Sequence, residues 1–297
     1  MNDRHLTIDT ADGARLHVAD SGPPDADVAV IYLHGWCLTS EIYRAQPAAL
    51  AERGSRARVL RPDLRGHGRS TPAASGGNGI ADLGDDIRLV LDELCPRTPA
   101  VLVGHSMGGM AIMALAERSP ELFAGRVAGV VFVNTSAGDL DAVRAGLVGL
   151  ADRFLKRRYL PYLFARRSRR GGAPRGARLM DTAIARRVLF GGKVPRADLK
   201  LGRRLIATTR PDTQRDFWPE LMRHRRYRAL GALSAVPVRV LAGTRDRLTP
   251  LGHAKRLASG VPGARLLIYP GAGHTIPLER PAELAAEVDR LARLASG

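Results

Sequence analysis

The sequence predicts an α/β fold in which a mostly parallel central sheet is flanked by helices and carries a helical insertion. Three observations predict it. Short apolar runs alternate with amphipathic stretches, the alternation stops between residues 139 and 230, and it resumes at Val236. Strands that alternate with helices form parallel βαβ units with helices on both faces of the sheet. We therefore expect a core domain made of residues 1–138 and 231–297, and a helical lid made of residues 139–230.

The individual elements follow from apolar spacing and turn residues. Residues 6–9 and 15–18 flank Asp12-Gly13, a dipeptide favoured in tight turns, and predict a hairpin. Continuous apolar runs of strand length predict buried strands. These runs lie at residues 28–33, 57–60, 101–103, 127–133, 236–242 and 264–269. Helices are predicted at residues 80–94, 107–117 and 281–294, where the apolar residues occupy one helical face or the residues favour helix.

Length and composition limit the class of protein. The chain has 297 residues, of which 45% are apolar, enough for one large domain with a substantial core. It contains no uncharged apolar run of about 18 residues, so we expect no transmembrane helix. The N-terminal residues lack the apolar region of a signal peptide. The two cysteines, Cys37 and Cys95, make no disulfide framework, and we expect a cytoplasmic protein.

The positive charge is concentrated in the insertion. The net charge is +17, and arginine far outnumbers lysine, a skew typical of a GC-rich genome. Residues 139–230 carry a net charge of +16, whereas the rest of the chain carries +1. Codon bias favours arginine over lysine, but it does not place nearly all of the excess charge in one segment. The basic lid therefore needs a separate explanation.

The strongest chemical motif is Gly104-His105-Ser106-Met107-Gly108, which lies between a predicted strand and a predicted helix. This pattern in this context is typical of a nucleophile elbow, a sharp turn that requires small neighbours and exposes the serine hydroxyl. It predicts Ser106 as the nucleophile. It also places the N–H of Met107 at a helix N-terminus, where it can donate to an oxyanion.

A serine nucleophile needs a base and an acid, which in this architecture follow it along the chain. His274 ends the glycine-rich loop after the last predicted strand, and we predict that it is the base. Asp246 follows the preceding strand and is the favoured acid; Asp139 is the alternative. Trp36, in His34-Gly35-Trp36 after an early strand, is the predicted second N–H donor of the oxyanion hole.

The motifs occur in one order along nearly the whole chain. They are Leu33-His34-Gly35-Trp36, Arg61-Pro62-Asp63-Leu64-Arg65-Gly66-His67-Gly68-Arg69-Ser70, Gly104 to Gly109, Asp246, and Pro270-Gly271-Ala272-Gly273-His274. Together they resemble the α/β-hydrolase superfamily, and within it the serine esterases and the cofactor-free haloperoxidase or perhydrolase group.

The resemblance implies the α/β-hydrolase fold with a lid, no metal and no organic cofactor. It also implies structural rather than catalytic roles for Asp63 and His67. Related epoxide hydrolases and haloalkane dehalogenases use an aspartate nucleophile, so Ser106 argues against both activities. The arginine density of the lid departs from the family pattern.

Three functions remain open at this point. The first is hydrolysis of a carboxylic ester through an acyl-enzyme on Ser106. The second is acyl transfer to hydrogen peroxide by the same residues, and the third is a catalytically silent ligand-binding protein.

The basic lid bears on the partners of the protein. Arginine pairs with carboxylates and phosphates, which suggests an acidic or lipid-like acyl substrate. Apolar residues at 154–164 beside clustered arginines suggest contact with an anionic membrane, which would make a cytoplasmic protein peripheral to it. A solvated, salt-paired helical face explains the same charge without any partner. No specific nucleic-acid-binding module is recognisable.

Overall fold

The computed structural model describes residues 3–74, 78–142, 186–192 and 194–296. Within them, eight strands form one sheet in the order β1-β2-β4-β3-β5-β6-β7-β8. The strands are β1 (Arg4–Asp9), β2 (Arg15–Ser21), β3 (Ala29–Leu33), β4 (Arg58–Pro62), β5 (Ala100–His105), β6 (Val127–Val133), β7 (Val238–Gly243) and β8 (Arg265–Tyr269). The β1–β2 and β2–β4 pairs are antiparallel, and the other pairs are parallel. The predicted fold class is confirmed.

Helices pack on both faces of this sheet. Those of eight or more residues among the described segments include α2 (Ile80–Leu94), α3 (Met107–Arg118), α4 (Arg196–Thr208), α5 (Pro211–Arg223), α6 (Leu251–Ser259) and α8 (Pro281–Ser296). Two shorter helices are α1 (Gln46–Glu52) and α7 (Ile276–Glu279). The sequence pattern did not predict α1, because its three buried residues are too few to show a helical period.

Each face of the sheet has its own apolar core. One core packs α2 and α3 against the sheet, with Ile87 and Ile112 in its interior. The other packs α1 and α8 against the opposite face, with Leu50 and Leu284 in its interior. The sheet strands between them are buried on both sides, as β5 is along its whole length. Burial on both faces explains why these strands appear in the sequence as continuous apolar runs.

The described part of the insertion packs closely on the core domain. Phe217 of α5 is fully buried in the first core, and Leu205 of α4 is buried in the second. The Thr213 hydroxyl of α5 donates a hydrogen bond of 2.8 Å to the carbonyl of Gly66. The division into residues 1–138, 231–297 and a lid at 139–230 stays a prediction.

The apolar and basic stretch at residues 154–164, on which the membrane hypothesis depends, lies outside the described residues. Among the helices of the described segments, none combines the length and the apolar character needed to cross a bilayer.

Candidate active site

The predicted functional residues follow strands that end at one edge of the sheet. Trp36 follows β3, Ser106 follows β5, Asp246 follows β7 and His274 follows β8. The carboxyl ends of parallel strands share one edge, where sites of open α/β sheets lie. The strand order places the Ser106 loop at the centre of the sheet, directly beside the loop that carries Trp36.

Ser106 occupies the strained turn that the motif predicts. Its φ of 52° and ψ of −116° lie in a region that residues with a side chain rarely adopt. A Cβ at position 104 would lie 2.6 Å from the Cα of Gly109, and one at position 108 would lie 2.1 Å from the Leu33 carbonyl oxygen. Glycine at both positions therefore lets β5, α3 and the end of β3 approach closely enough to form the elbow.

The two predicted oxyanion donors come from segments in contact. Met107 is the first residue of α3, so its N–H has no partner within the helix. A Cβ at position 35 would lie 3.1 Å from the Cβ of Ser106, which places the Gly35-Trp36 turn against the elbow. The Trp36 ring packs on Trp218 of α5, with ring centroids 5.3 Å apart. A helix of the insertion therefore contacts the predicted oxyanion loop.

The structure joins His274 to Asp246. Nδ1 of His274 donates to Oδ2 of Asp246 over 2.9 Å, and both side chains are buried. This bond leaves Nε2 of His274 as the atom that can accept a proton. The hydroxyl of Thr249 donates to the same Asp246 oxygen over 2.6 Å, and the N–H groups of Leu248 and Thr249 donate to Oδ1.

The surroundings of Asp246 keep it ionised. Burial alone would raise the pKa of this carboxyl, but attraction to His274 and hydrogen bonds from His274 and Thr249 outweigh it and lower the pKa below its usual value. The ionised Asp246 accepts hydrogen bonds both from the residues that follow it and from His274.

The alternative acid, Asp139, lies in another set of contacts. Its carboxylate accepts a hydrogen bond of 2.7 Å from the Tyr227 hydroxyl and pairs with Nε of Arg225 over 3.0 Å. The Asp139 side chain is 39% exposed, whereas that of Asp246 is fully buried. Of the two candidate acids, the contacts to His274 favour Asp246.

Two residues that the sequence reasoning missed hold the His274 backbone. Nε2 of His105 donates to the His274 carbonyl over 2.7 Å, and the two rings lie 4.7 Å apart. The side-chain amide of Asn134, directly after β6, donates to the carbonyls of Gly273 and His274, each over 2.8 Å. The only available signal for Asn134 is a polar residue immediately after a buried strand.

The turn at residues 63–70 makes hydrogen bonds to the loop that follows β3 and to its own backbone. Oδ1 of Asp63 accepts from the N–H of Ser40 over 2.8 Å, and Oδ2 accepts from the N–H of Arg69 over 3.0 Å. Nε2 of His67 accepts from the N–H of Cys37 over 3.3 Å. These contacts agree with structural roles for Asp63 and His67. Within the described segments, no group of three histidine, cysteine or acidic side chains is arranged to hold a metal ion.

Buried histidines make the fold sensitive to acid. Burial, reinforced by neighbouring histidine or arginine side chains, lowers the pKa of His67, His105 and His224 to about 3 in each case. Histidine in an unfolded chain titrates near pH 6.5, so between about pH 6.5 and 3 the unfolded state binds more protons than the native state. Each such group then removes up to about 1.4 kcal/mol of unfolding free energy per pH unit as the pH falls.

Urea unfolding measured at several pH values tests this expectation. The free energy of unfolding should fall steadily from about pH 6.5 downward. His67→Gln should reduce that slope by about one proton per molecule. Ser234→Ala, a change at an exposed hydroxyl, should leave it unaltered. A free energy of unfolding that stays constant between neutral pH and about pH 4 would contradict the assignment.

Comparison with known proteins places this geometry in context. The model of the family described as the alpha/beta hydrolase fold matches residues 28–281. A Variovorax paradoxus relative named carbamate hydrolase RutD is 31% identical over 267 residues, which are 87% of this chain and 89% of that protein. Epoxide hydrolase A of Mycobacterium tuberculosis is 28% identical and covers 94% of both chains.

Other similarities are shorter or rest on structure. The bifunctional esterase/perhydrolase DCH of Acinetobacter calcoaceticus is 37% identical over 113 residues, and the match spans 39% of its length. The solved esterase EaEST of Exiguobacterium antarcticum superposes with a TM-score of 0.78 at 19% identity, covering 99% of this chain and 100% of the other. At this identity, the superposition shows a shared fold.

Proposed function

This chain belongs to the α/β-hydrolase family, and from that membership we propose that it is a serine carboxylesterase that works through an acyl-enzyme on Ser106. The observation that carries the proposal is the buried hydrogen bond of 2.9 Å between His274 and Asp246. It lies at the same sheet edge as the strained Ser106 elbow. A base oriented by a carboxylate beside a serine in this turn is the arrangement that activates a hydroxyl for attack on a carbonyl.

The proposed reaction uses only groups of this chain, the ester and water. Nε2 of His274 takes the proton of the Ser106 hydroxyl as Oγ attacks the ester carbonyl. The N–H groups of Met107 and Trp36 donate to the oxyanion, and Asp246 stabilises the imidazolium. His274 then protonates the leaving alcohol. Water, deprotonated by the same histidine, attacks the acyl-enzyme; the acyl–Oγ bond then breaks, His274 returns the proton to Oγ of Ser106, and the acid leaves.

The nucleophile separates this proposal from the activity named for one relative. Epoxide hydrolase A covers nearly the whole chain at 28% identity. Epoxide hydrolases of this fold carry aspartate as the nucleophile, whereas this chain has Ser106. A serine would form an ether with an opened epoxide, which water does not readily hydrolyse. We therefore propose acyl rather than epoxide substrates.

A fluorophosphonate label combined with an ester panel tests the proposal. We expect the label to form one adduct, located at Ser106 by peptide mass mapping, and to abolish turnover of p-nitrophenyl esters in proportion to labelling. The panel runs from acetyl to dodecanoyl. A label on another residue, or turnover that persists after complete labelling, would reject Ser106 as the nucleophile. Labelling of Ser106 without turnover of any ester would favour a silent binding protein.

Perhydrolysis is a second candidate, because one relative is named as both esterase and perhydrolase. In that reaction hydrogen peroxide replaces water and the acyl-enzyme yields a peracid. Measuring peracid and acid formed from one short acyl ester, at graded peroxide concentrations, distinguishes the two acceptors. A peracid yield no higher than that of the uncatalysed mixture would leave hydrolysis as the reaction.

The charge of the insertion suggests the chemical class of the substrate. A net charge of +16 in residues 139–230 favours an acidic or lipid-like acyl group. p-Nitrophenyl butyrate and the p-nitrophenyl hemiester of succinate form a matched pair for the panel, because they differ mainly by a terminal carboxylate. Preference for the hemiester would support an acidic substrate.

Contact with anionic membranes stays a further proposal. A cytoplasmic location is also proposed, and the two buried thiols agree with it.

A further inference from the structure

A segment inside the insertion contacts the loop of the predicted base. It consists of residues 186–192, and we call it the 186–192 segment. Within it, the Leu189 carbonyl accepts hydrogen bonds from the N–H of His274 over 2.9 Å and from the N–H of Thr275 over 3.1 Å. The hydroxyl of Thr275 donates to the same carbonyl over 3.1 Å. The backbone of the histidine is thus bound to the insertion.

The 186–192 segment also holds the loop of the predicted acid. Arg245 and Arg247 stand on either side of Asp246 in the sequence. Nη1 of Arg245 donates to the Gly191 carbonyl over 2.9 Å, and Nη1 of Arg247 donates to the Arg187 carbonyl over 2.7 Å. One short segment therefore contacts the His274 loop and the two neighbours of Asp246 in the sequence.

Glu279 links the 186–192 segment to the histidine loop. At the C-terminal end of α7, its Oε2 accepts from the N–H of Gly191 over 2.9 Å, and its Oε1 accepts from the N–H of Gly273 over 3.0 Å. Gly273 immediately precedes His274. Hydrogen bonds from N–H groups to a carboxylate are about twice as strong as neutral ones.

The two backbones approach as closely as glycine allows. A Cβ at position 191 would lie 2.3 Å from the Gly271 carbonyl oxygen and 2.4 Å from the Gly273 nitrogen. A Cβ at position 273 would lie 2.2 Å from the Gly191 nitrogen. Glycine-rich loops lose the most conformational entropy on ordering, so this loop depends on bonds from outside itself to hold one conformation.

We propose that Glu279 is a positioning residue for His274, and that through it the 186–192 segment of the insertion sets the alignment of the base with Ser106. This inference rests on the proposed function, since it assigns His274 as the base. Through the 186–192 segment, the insertion then fixes the placement of both the His274 loop and the Asp246 loop.

Variants of Glu279 test the proposal through the split between kcat and KM. Glu279→Ala removes both acceptor oxygens, and a misplacement of the base by about 1 Å costs on the order of 10²-fold in kcat. Glu279→Gln keeps one acceptor but presents an amide N–H to a donor, so we expect a smaller loss, of about tenfold, with KM within about twofold of wild type in both variants. Gly191→Ala, made on the insertion side, should reproduce the loss of kcat.

The matched control is Glu283→Ala. Glu283 is an exposed carboxylate on the next helix, whose side chain pairs with Arg280 over 3.7 Å, and its removal should leave kcat unchanged. Wild-type kcat in both Glu279 variants, or equal losses in Glu279→Gln and the control, would overturn the inference. Circular dichroism and thermal unfolding accompany each variant, and the milder Glu279→Gln decides the outcome if Glu279→Ala unfolds.

The rate of fluorophosphonate labelling of Ser106 separates this inference from the proposed function. Labelling needs the nucleophile and its base but no ester substrate. If the wild-type protein is labelled at Ser106 yet hydrolyses no ester, the proposed function fails. The positioning role of Glu279 is then tested by the labelling rates alone. In that case a rate lowered in Glu279→Gln and unchanged in Glu283→Ala supports the positioning role, and equal rates in all three proteins reject it.

Discussion

Replacing Ser106 with alanine should lower kcat for ester hydrolysis by about 10⁶-fold, because the triad acts as a unit and no acyl-enzyme can form. The Cβ of alanine occupies the place of the serine Cβ, so the strained turn is retained at its φ of 52°. We therefore expect the same thermal midpoint as wild type. Steady-state kinetics on the best ester of the panel, with active-site titration by fluorophosphonate, measure the effect.

The comparison variant for this experiment is Ser234→Ala. Ser234 is exposed, and its hydroxyl donates to the Gly231 carbonyl over 2.7 Å on the surface of the core domain. Its removal should leave kcat and labelling unchanged. A Ser106→Ala protein that keeps more than about a hundredth of wild-type kcat, after correction for contaminating esterase, would show that another group is the nucleophile.

Replacing Asp246 with asparagine should lower kcat by about 10⁴-fold while leaving the shape of the site intact. The amide keeps one oxygen for the N–H groups of Leu248 and Thr249, which now bond Oδ1 over 2.8 and 3.0 Å. Its NH₂ group faces Nδ1 of His274, where a carboxylate oxygen accepts over 2.9 Å. The histidine is then forced toward the tautomer that carries its proton on Nε2, and it cannot accept the serine proton.

Asp139→Asn is the matched control, because Asp139 was the alternative acid. Its contacts are to Tyr227 and Arg225 near the surface. We expect its kcat to stay within about twofold of wild type. If Asp139→Asn lost activity and Asp246→Asn retained it, the acid would have to be reassigned to Asp139. Equal losses in both would show that neither carboxylate acts alone.

Much of the fold could be predicted because its signals are local. The strands of the central sheet are buried on both faces, so β5 and β6 appear as continuous apolar runs, and α2 shows a helical period. Ser106 was found because a nucleophile elbow needs a strand, small residues and a helix within a few positions. The helix α1 was missed because contacts with α8 rather than its own pattern stabilise it.

The residues that hold the backbone of the His274 loop could not be predicted in the same way. Asn134 and His105 act on His274 across 140 and 169 positions of sequence, as donors to its backbone carbonyl. Glu279 lies only five residues beyond His274, but its partner Gly191 is 88 positions away. A hydrogen bond between distant segments leaves no periodic pattern in the sequence, since any polar residue can make it once the chain has brought the partners together.

The sequence by itself determined the fold class, the candidate nucleophile and the order of its candidate partners, because apolar periodicity and tight-turn chemistry are local properties of the chain. It also determined that nearly all of the net charge lies in one segment. Only the tertiary structure decided that His274 bonds Asp246 rather than Asp139, and that the 186–192 segment contacts the loops of both His274 and Asp246. Those choices depend on which loops the sheet order brings to one edge, and distances across that edge are set by packing.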